Sequence, residues 1–118
     1  MIVRQAQIDT LAHAVACSFA TRVEKYLRRE LPDVCAAAGD ERLRQWTREG
    51  VAEAAACGIT IEWDVCRYVE YKVRFGGDIR GRPEGAWTEP ILADDTLDGT
   101  AKMDRIDYQF LYEPGSNG

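Results

Sequence analysis

One histidine, His13, stands four residues before Cys17. On a helix that spacing places an imidazole and a thiol on adjacent turns of one face, the base and nucleophile of a thiol-dependent hydrolase or transferase. A single rigid helix offers no donors for a developing oxyanion, and there is no second histidine to build a site elsewhere. The expectation is therefore a histidine at the surface or core edge and no catalytic residue. Asp94, Asp95 and Asp98 form a second candidate, since clustered carboxylates do acid–base work or hold a hard cation. The run Asp-Asp-Thr-Leu-Asp-Gly lacks the rhythm and closing glutamate of an EF-hand loop. Capping and first-turn placement on a helix account for these aspartates more simply, so no metal and no cofactor are expected.

The glycine-rich stretch Gly76-Gly77-Asp78-Ile79-Arg80-Gly81 follows a helical pattern rather than a strand and has no GK[ST] ending. It reads as a helix–helix connection, not a phosphate cradle, with Arg80 and Arg82 available to an anionic group of a partner. Cys17, Cys35, Cys57 and Cys66 are 18, 22 and 9 residues apart. None makes the paired CxxC of a zinc or dithiol site, and reduced thiols packed as small hydrophobes are expected.

Aromatic residues are the stronger signal. Trp46, Trp63, Trp87, Tyr68, Tyr71, Tyr108 and Tyr112 are many large side chains for a chain of 118 residues. Some must fill the core. Trp63 and Trp87 fall at helix ends, where partly exposed aromatics anchor protein interfaces. Trp63, Arg67 and Tyr71 recur at i, i+4 and i+8 and share one helical face. With Trp87 beside them, and Asp104 and Asp107 adding charge selection from the last helix, they are the expected partner-binding residues.

Elements that hold these side chains are helical almost throughout. Ile8, Leu11, Val15, Phe19, Val23, Tyr26 and Leu27 recur every three or four residues and predict one helix over 5–30, stopped by Pro32. An alanine-rich turn over 33–38 ends at Gly39. Asp40 caps a second helix with Leu43, Trp46, Val51, Ala54 and Ala55 inward, in which Gly50 marks close packing. Gly58 closes it and Thr60 caps a third, whose adjacent apolar pairs Val65-Cys66 and Tyr68-Val69 break strand alternation. A loop over 78–84, a short helix through Ile91 and Leu92, and a last helix from Asp98 or Thr100 with Met103, Ile106, Phe110 and Leu111 inward complete the chain. The expectation is an all-α, single-domain bundle of about five helices over 1–113 and a flexible tail over 114–118.

Composition narrows the function. The chain is 46% hydrophobic and 30% charged with a net charge of −5, a globular balance that argues against a nucleic-acid partner. No apolar run reaches the ~18 residues a membrane helix needs, so no membrane is expected. Residues 1–5 lack the basic region and apolar stretch of a signal peptide, and the expected location is cytoplasmic. Charge is uneven: residues 1–83 carry 13 basic against 12 acidic side chains, and residues 84–118 carry two against eight. That acidic third suits a basic partner.

The stretch Gly58-Ile59-Thr60-Ile61-Glu62-Trp63-Asp64-Val65-Cys66-Arg67-Tyr68-Val69, with Phe75-Gly76-Gly77-Asp78, residues 86–94 and residues 101–106, resembles a set of small bacterial proteins encoded beside type VI secretion spike proteins and polymorphic toxins. The likeness covers most of the chain and is strongest over 58–106, while residues 81–85 depart from the acidic, proline-containing stretch of that set. The resemblance implies a non-enzymatic adaptor or chaperone-like helper for a larger protein effector or toxin. The alternative is an immunity protein that binds and blocks its cognate toxin. A homodimer is compatible with either.

Overall fold

The computed structural model describes residues 18–112, and all of it is helix or connection with no strand among those residues. His13 and Cys17, the apolar positions Ile8, Leu11 and Val15, and the expected tail over 114–118 lie outside the described residues. The chain is an all-α, single-domain bundle. Helix α1 covers 18–30 of the described residues. It is followed by α2 (Pro32–Ala38), α3 (Asp40–Ala56), α4 (Glu62–Arg74), a 3-10 turn (Ala86–Thr88), α5 (Glu89–Leu92) and α6 (Gly99–Tyr112). No helix among the described residues is long and apolar enough to cross a membrane.

Helix α4 is the centre. Val65, Tyr68, Val69, Tyr71 and Val73 are all buried, and so are Asp64 and Lys72. A helix packed on several sides needs apolar residues around most of its circumference, which is why its sequence shows adjacent apolar pairs rather than one stripe. Helix α3 runs antiparallel to it: Lys72 Nζ reaches Glu53 at 2.9 Å and Glu49 at 3.7 Å. Gly50 of α3 lies against α4, where an added Cβ would come within 2.9 Å of Val69 Cγ2. Helices α1 and α6 instead run parallel to α4. Arg22 pairs with Glu62, and Tyr26 with Glu70, on one side. On the other, Thr100 pairs with Asp64, and Asp104 and Asp107 with Arg67.

Helix ends explain the boundaries. Both α3 and α4 close with the paired bonds of a Schellman motif. Ile59 and Gly58 donate to Ala54 and Ala55, and Gly77 and Gly76 donate to Lys72 and Val73. Gly58 and Gly76 hold the positive φ this requires, 79° and 76°. The first motif folds Ile59 fully into the core, so the chain stays extended through Ile61 and α4 starts at Glu62. Thr60 therefore does not cap it, and no side chain does. Likewise Gly39 sits between α2 and α3 with φ 90°, leaving Asp40 as the first residue of α3 rather than its cap.

Other local expectations change for equally physical reasons. The stretch over 33–38 is a helix because Pro32 occupies a first-turn position, where its missing N–H is no loss. Ala55 and Leu111 are exposed and Cys66 is half-buried. The described residues hold six helices and a 3-10 turn, close to the bundle of about five helices expected.

Candidate functional site

Because α1 and α6 lie parallel to α4 on two of its sides, a stretch of α4 forms the floor of a groove of about 240 Å³. Trp63, Arg67 and Tyr71 line it from α4, Tyr26 from α1, and Phe110 and Leu111 from α6. The face expected from the i, i+4, i+8 spacing is thus gathered in one place, together with Asp107. Asp104 joins through its bond to Arg67. Trp87 does not line the groove; its indole N–H donates to the Glu84 carbonyl at 2.9 Å.

These residues divide by what they touch. Tyr71 is buried, its ring meets Phe110 edge-on at 5.3 Å, and its hydroxyl donates to Asp107 Oδ1 at 2.6 Å. Burial and the Asp107 carboxylate push its phenol well above the ordinary range. Arg67, with a side chain 14% exposed, donates from Nη2 to Asp64 and from Nη1 to both Asp104 and Asp107, all within 3.0 Å. Its guanidinium joins α4 to α6. Burial acts to raise the Asp64 carboxyl, but hydrogen bonds from Thr100 and Arg67 and the guanidinium charge outweigh it and hold it below the usual range.

Trp63 and Leu111 are different. They are 55% and 64% exposed, one at each end of the groove. Trp63 and Tyr26 meet at right angles, with ring centroids 5.8 Å apart, which holds the indole at the mouth of the groove while more than half of the residue stays exposed. Tyr108 and Tyr112 extend this apolar surface along α6, with centroids 5.1 Å apart, and both are exposed. A surface rich in tyrosine, tryptophan and leucine around a charged cluster has the composition of a binding patch.

Charge in the groove is not balanced. One guanidinium serves Asp64, Asp104 and Asp107, while Glu70 is matched by Arg74 at 3.1 Å. Asp104 is the outermost member, two-thirds exposed, and presents the surplus negative charge to an incoming group. The spacing gave the face, with Asp104 and Asp107 as charge selection from the last helix, but not the bonds that join Arg67 to both. It missed Tyr26, Phe110 and Leu111 as walls, and the only signal for them was aromatic and apolar content near helix C-termini.

The expected capping holds for Asp98 alone, which caps α6; Asp94 closes a turn in the connection between α5 and α6, and Asp95 does neither. Asp94 Oδ1 accepts from the Thr96 N–H at 2.9 Å and Asp98 Oδ1 from the Ala101 N–H at 2.8 Å. Of the thiols, Cys35 is buried and Cys57 and Cys66 are half-buried, all three free. No group of three or more His, Cys, Asp or Glu side chains among the described residues is arranged to hold a metal. The chain matches no family model, no curated protein and no solved structure.

Proposed function

We propose that the protein is a non-enzymatic binding accessory, an adaptor or chaperone-like helper that acts in the cytoplasm and holds a helical segment of a larger effector in the groove along α4. The observation that carries this reading is the exposure of Trp63 and Leu111 at the two ends of one groove floored by α4. A groove between two parallel helices accepts the apolar face of a third, with anchors at i, i+4 and i+7. The three carboxylates around Arg67 favour a lysine or arginine on that segment. The resemblance of residues 58–106 to proteins encoded beside secretion spike proteins and toxins supports an effector of a type VI secretion or toxin cluster as partner.

Co-expression with the neighbouring effector tests it. The wild-type chain is expected to co-purify, and Trp63→Ser with Leu111→Ser to weaken binding by at least about 2 kcal/mol, roughly 30-fold. Both side chains are largely exposed, so circular dichroism and melting should be unchanged. Undiminished binding by the double variant would remove the groove as the docking site.

The acidic balance of residues 84–118 favours a second reading, an immunity protein that covers a basic toxin cleft. Expression in cells that carry the toxin separates the two: an immunity protein rescues growth alone, whereas a helper raises effector level or export without protecting.

A further inference from the structure

The two walls of the groove along α4 carry opposite charge. On the α1 side, Arg22, Tyr26 and Arg29 recur at i, i+4 and i+7 and share one helical face. Residues 18–30 hold four basic side chains against two acidic. Arg22 Cζ lies 5.4 Å from the Phe19 ring centroid and Arg29 Cζ 5.7 Å from that of Tyr26, contacts that draw a guanidinium onto a ring face and keep both cations at the rim. Arg22 is matched by Glu62 at 3.0 Å. Arg29 has only its chain neighbour Glu30 at 3.8 Å among the described residues, and its side chain is 74% exposed. On the α6 side the sign is reversed, because Asp64, Asp104 and Asp107 share the single guanidinium of Arg67.

The opposite charges also stand at one height. The Tyr26 ring that carries Arg29 reaches Glu70 with its hydroxyl. Asp107 bonds Arg67 and Tyr71, so both rims present their charge level with residues 67–71 of α4. A two-fold axis running along α4 preserves height and exchanges the walls, laying α1 of each copy over α6 of the other. An axis across α4 would set like over like, which costs affinity. The groove face is therefore self-complementary in one arrangement only.

We propose that, when no client is bound, a second copy of this chain covers the groove about a two-fold axis along α4, with Arg29 of each copy against Asp104 and Asp107 of the other. Trp63, on the floor beneath that axis, meets its own counterpart and fills the hollow between the walls. The inference rests on the reading of this groove as a docking surface and adds its regulation, since the second copy and a client exclude each other. Three helices ~20 Å long and ~10 Å apart offer roughly 600 Å², somewhat under the ~800 Å² per partner of a standard interface. A dissociation constant on the order of 10 μM is expected, weak enough to yield to a client.

Sedimentation equilibrium of the full chain alone, at low salt and from about 1 to 200 μM, tests the proposal. The mass should rise from one chain to two. Arg29→Glu sets like charges together twice in each dimer and should weaken it about tenfold or more, as should Asp104→Lys. The double variant R29E/D104K restores opposite signs and should return to within about threefold of the wild type, a rescue that another crossing of the helices would not give. Trp63→Cys reports the axis without using charge: under mild oxidation it should link two chains well above the wild-type level. Glu41→Cys, exposed on α3 and away from the groove, should not. The Arg29 and Trp63 arms alter largely exposed side chains, so they decide the matter whether or not Asp104→Lys folds. A single-chain mass at about 200 μM, association indifferent to Arg29→Glu, no rescue in a folded double variant, or Trp63→Cys linked no more than Glu41→Cys would each overturn the proposal. A chain that stays single yet co-purifies with the effector would sink this inference and leave the docking reading standing, and a dimer that captures no effector would do the reverse.

Discussion

Arg67 ties α4 to α6 through three carboxylates. It lies between a carboxylate buried to 4% of its side-chain area and two on another helix, so removing it strands Asp64 in the interior with Thr100 as its remaining partner. Breaking one side of a buried pair is far costlier than the pair's net worth. Arg67→Met is expected to lower stability by about 3 kcal/mol in urea titration at neutral pH. The pH dependence supplies a sign that mere loss of packing would not. In the wild type, Asp64 is held below its ordinary value, so its contribution is present above the unfolded value of about 3.9 and is lost as pH falls through the folded one. Without the guanidinium, burial dominates and the same carboxyl is raised, so protonation then relieves a penalty. The gap between wild type and Arg67→Met should narrow as pH falls toward about 4. A gap that stays constant with pH would mean Arg67 acts through its shape alone.

Between elements, the decisive contact is that of α3 with α4 at Gly50. Alanine would improve helix propensity by about 1 kcal/mol, but its methyl meets Val69 Cγ2 at 2.9 Å and Lys72 Cδ at 3.1 Å. Val69 is a fully buried, stiff β-branched residue. Overpacking wins, and Gly50→Ala should destabilise by about 1–2 kcal/mol. Val69→Ala should be less damaging when combined with Gly50→Ala than alone, a coupling that a double-mutant cycle measures. Gly50 was legible as a packing glycine because it interrupts an otherwise helical pattern, and the face Trp63-Arg67-Tyr71 was legible from spacing alone. What spacing does not contain is direction. Nothing in the run from 99 to 112 says that α6 lies parallel to α4, and only that alignment brings Asp104 and Asp107 onto Arg67. Lys72 was likewise missed as a buried group, although it falls on the stripe of Val65 and Val69. Its burial depends on Glu53 and the Gly77 carbonyl, which close around it from other parts of the chain.

For the whole molecule, buried phenols set an alkaline limit. Burial and Glu70 push Tyr26 up to about 12. Burial with Glu53 raises Tyr68, and burial with Asp107 raises Tyr71. A raised folded value means that stability is intact below the unfolded value of about 10 and declines as pH climbs past it. In a Tyr108→Phe/Tyr112→Phe variant, which removes the two exposed phenols, phenolate absorbance should therefore rise together with loss of helical circular dichroism, and the steepest part should lie above about pH 10. Phenolate formation well ahead of unfolding would place those hydroxyls in water.

The parallel arrangement of α1, α4 and α6 also orders assembly in time. Antiparallel α3 and α4 meet through partners 15 to 23 residues apart, whereas the bonds that dock α1 and α6 onto α4 span 36 to 44. Closing longer loops is slower and entropically harder. The α3–α4 hairpin is thus expected to form first and the walls of the aromatic cleft last, an order that φ-value measurement at Val69 and Phe110 would check. On that order the cleft is the final part of the molecule to take shape, so whatever stabilises its walls acts on the last docking step and leaves the hairpin untouched.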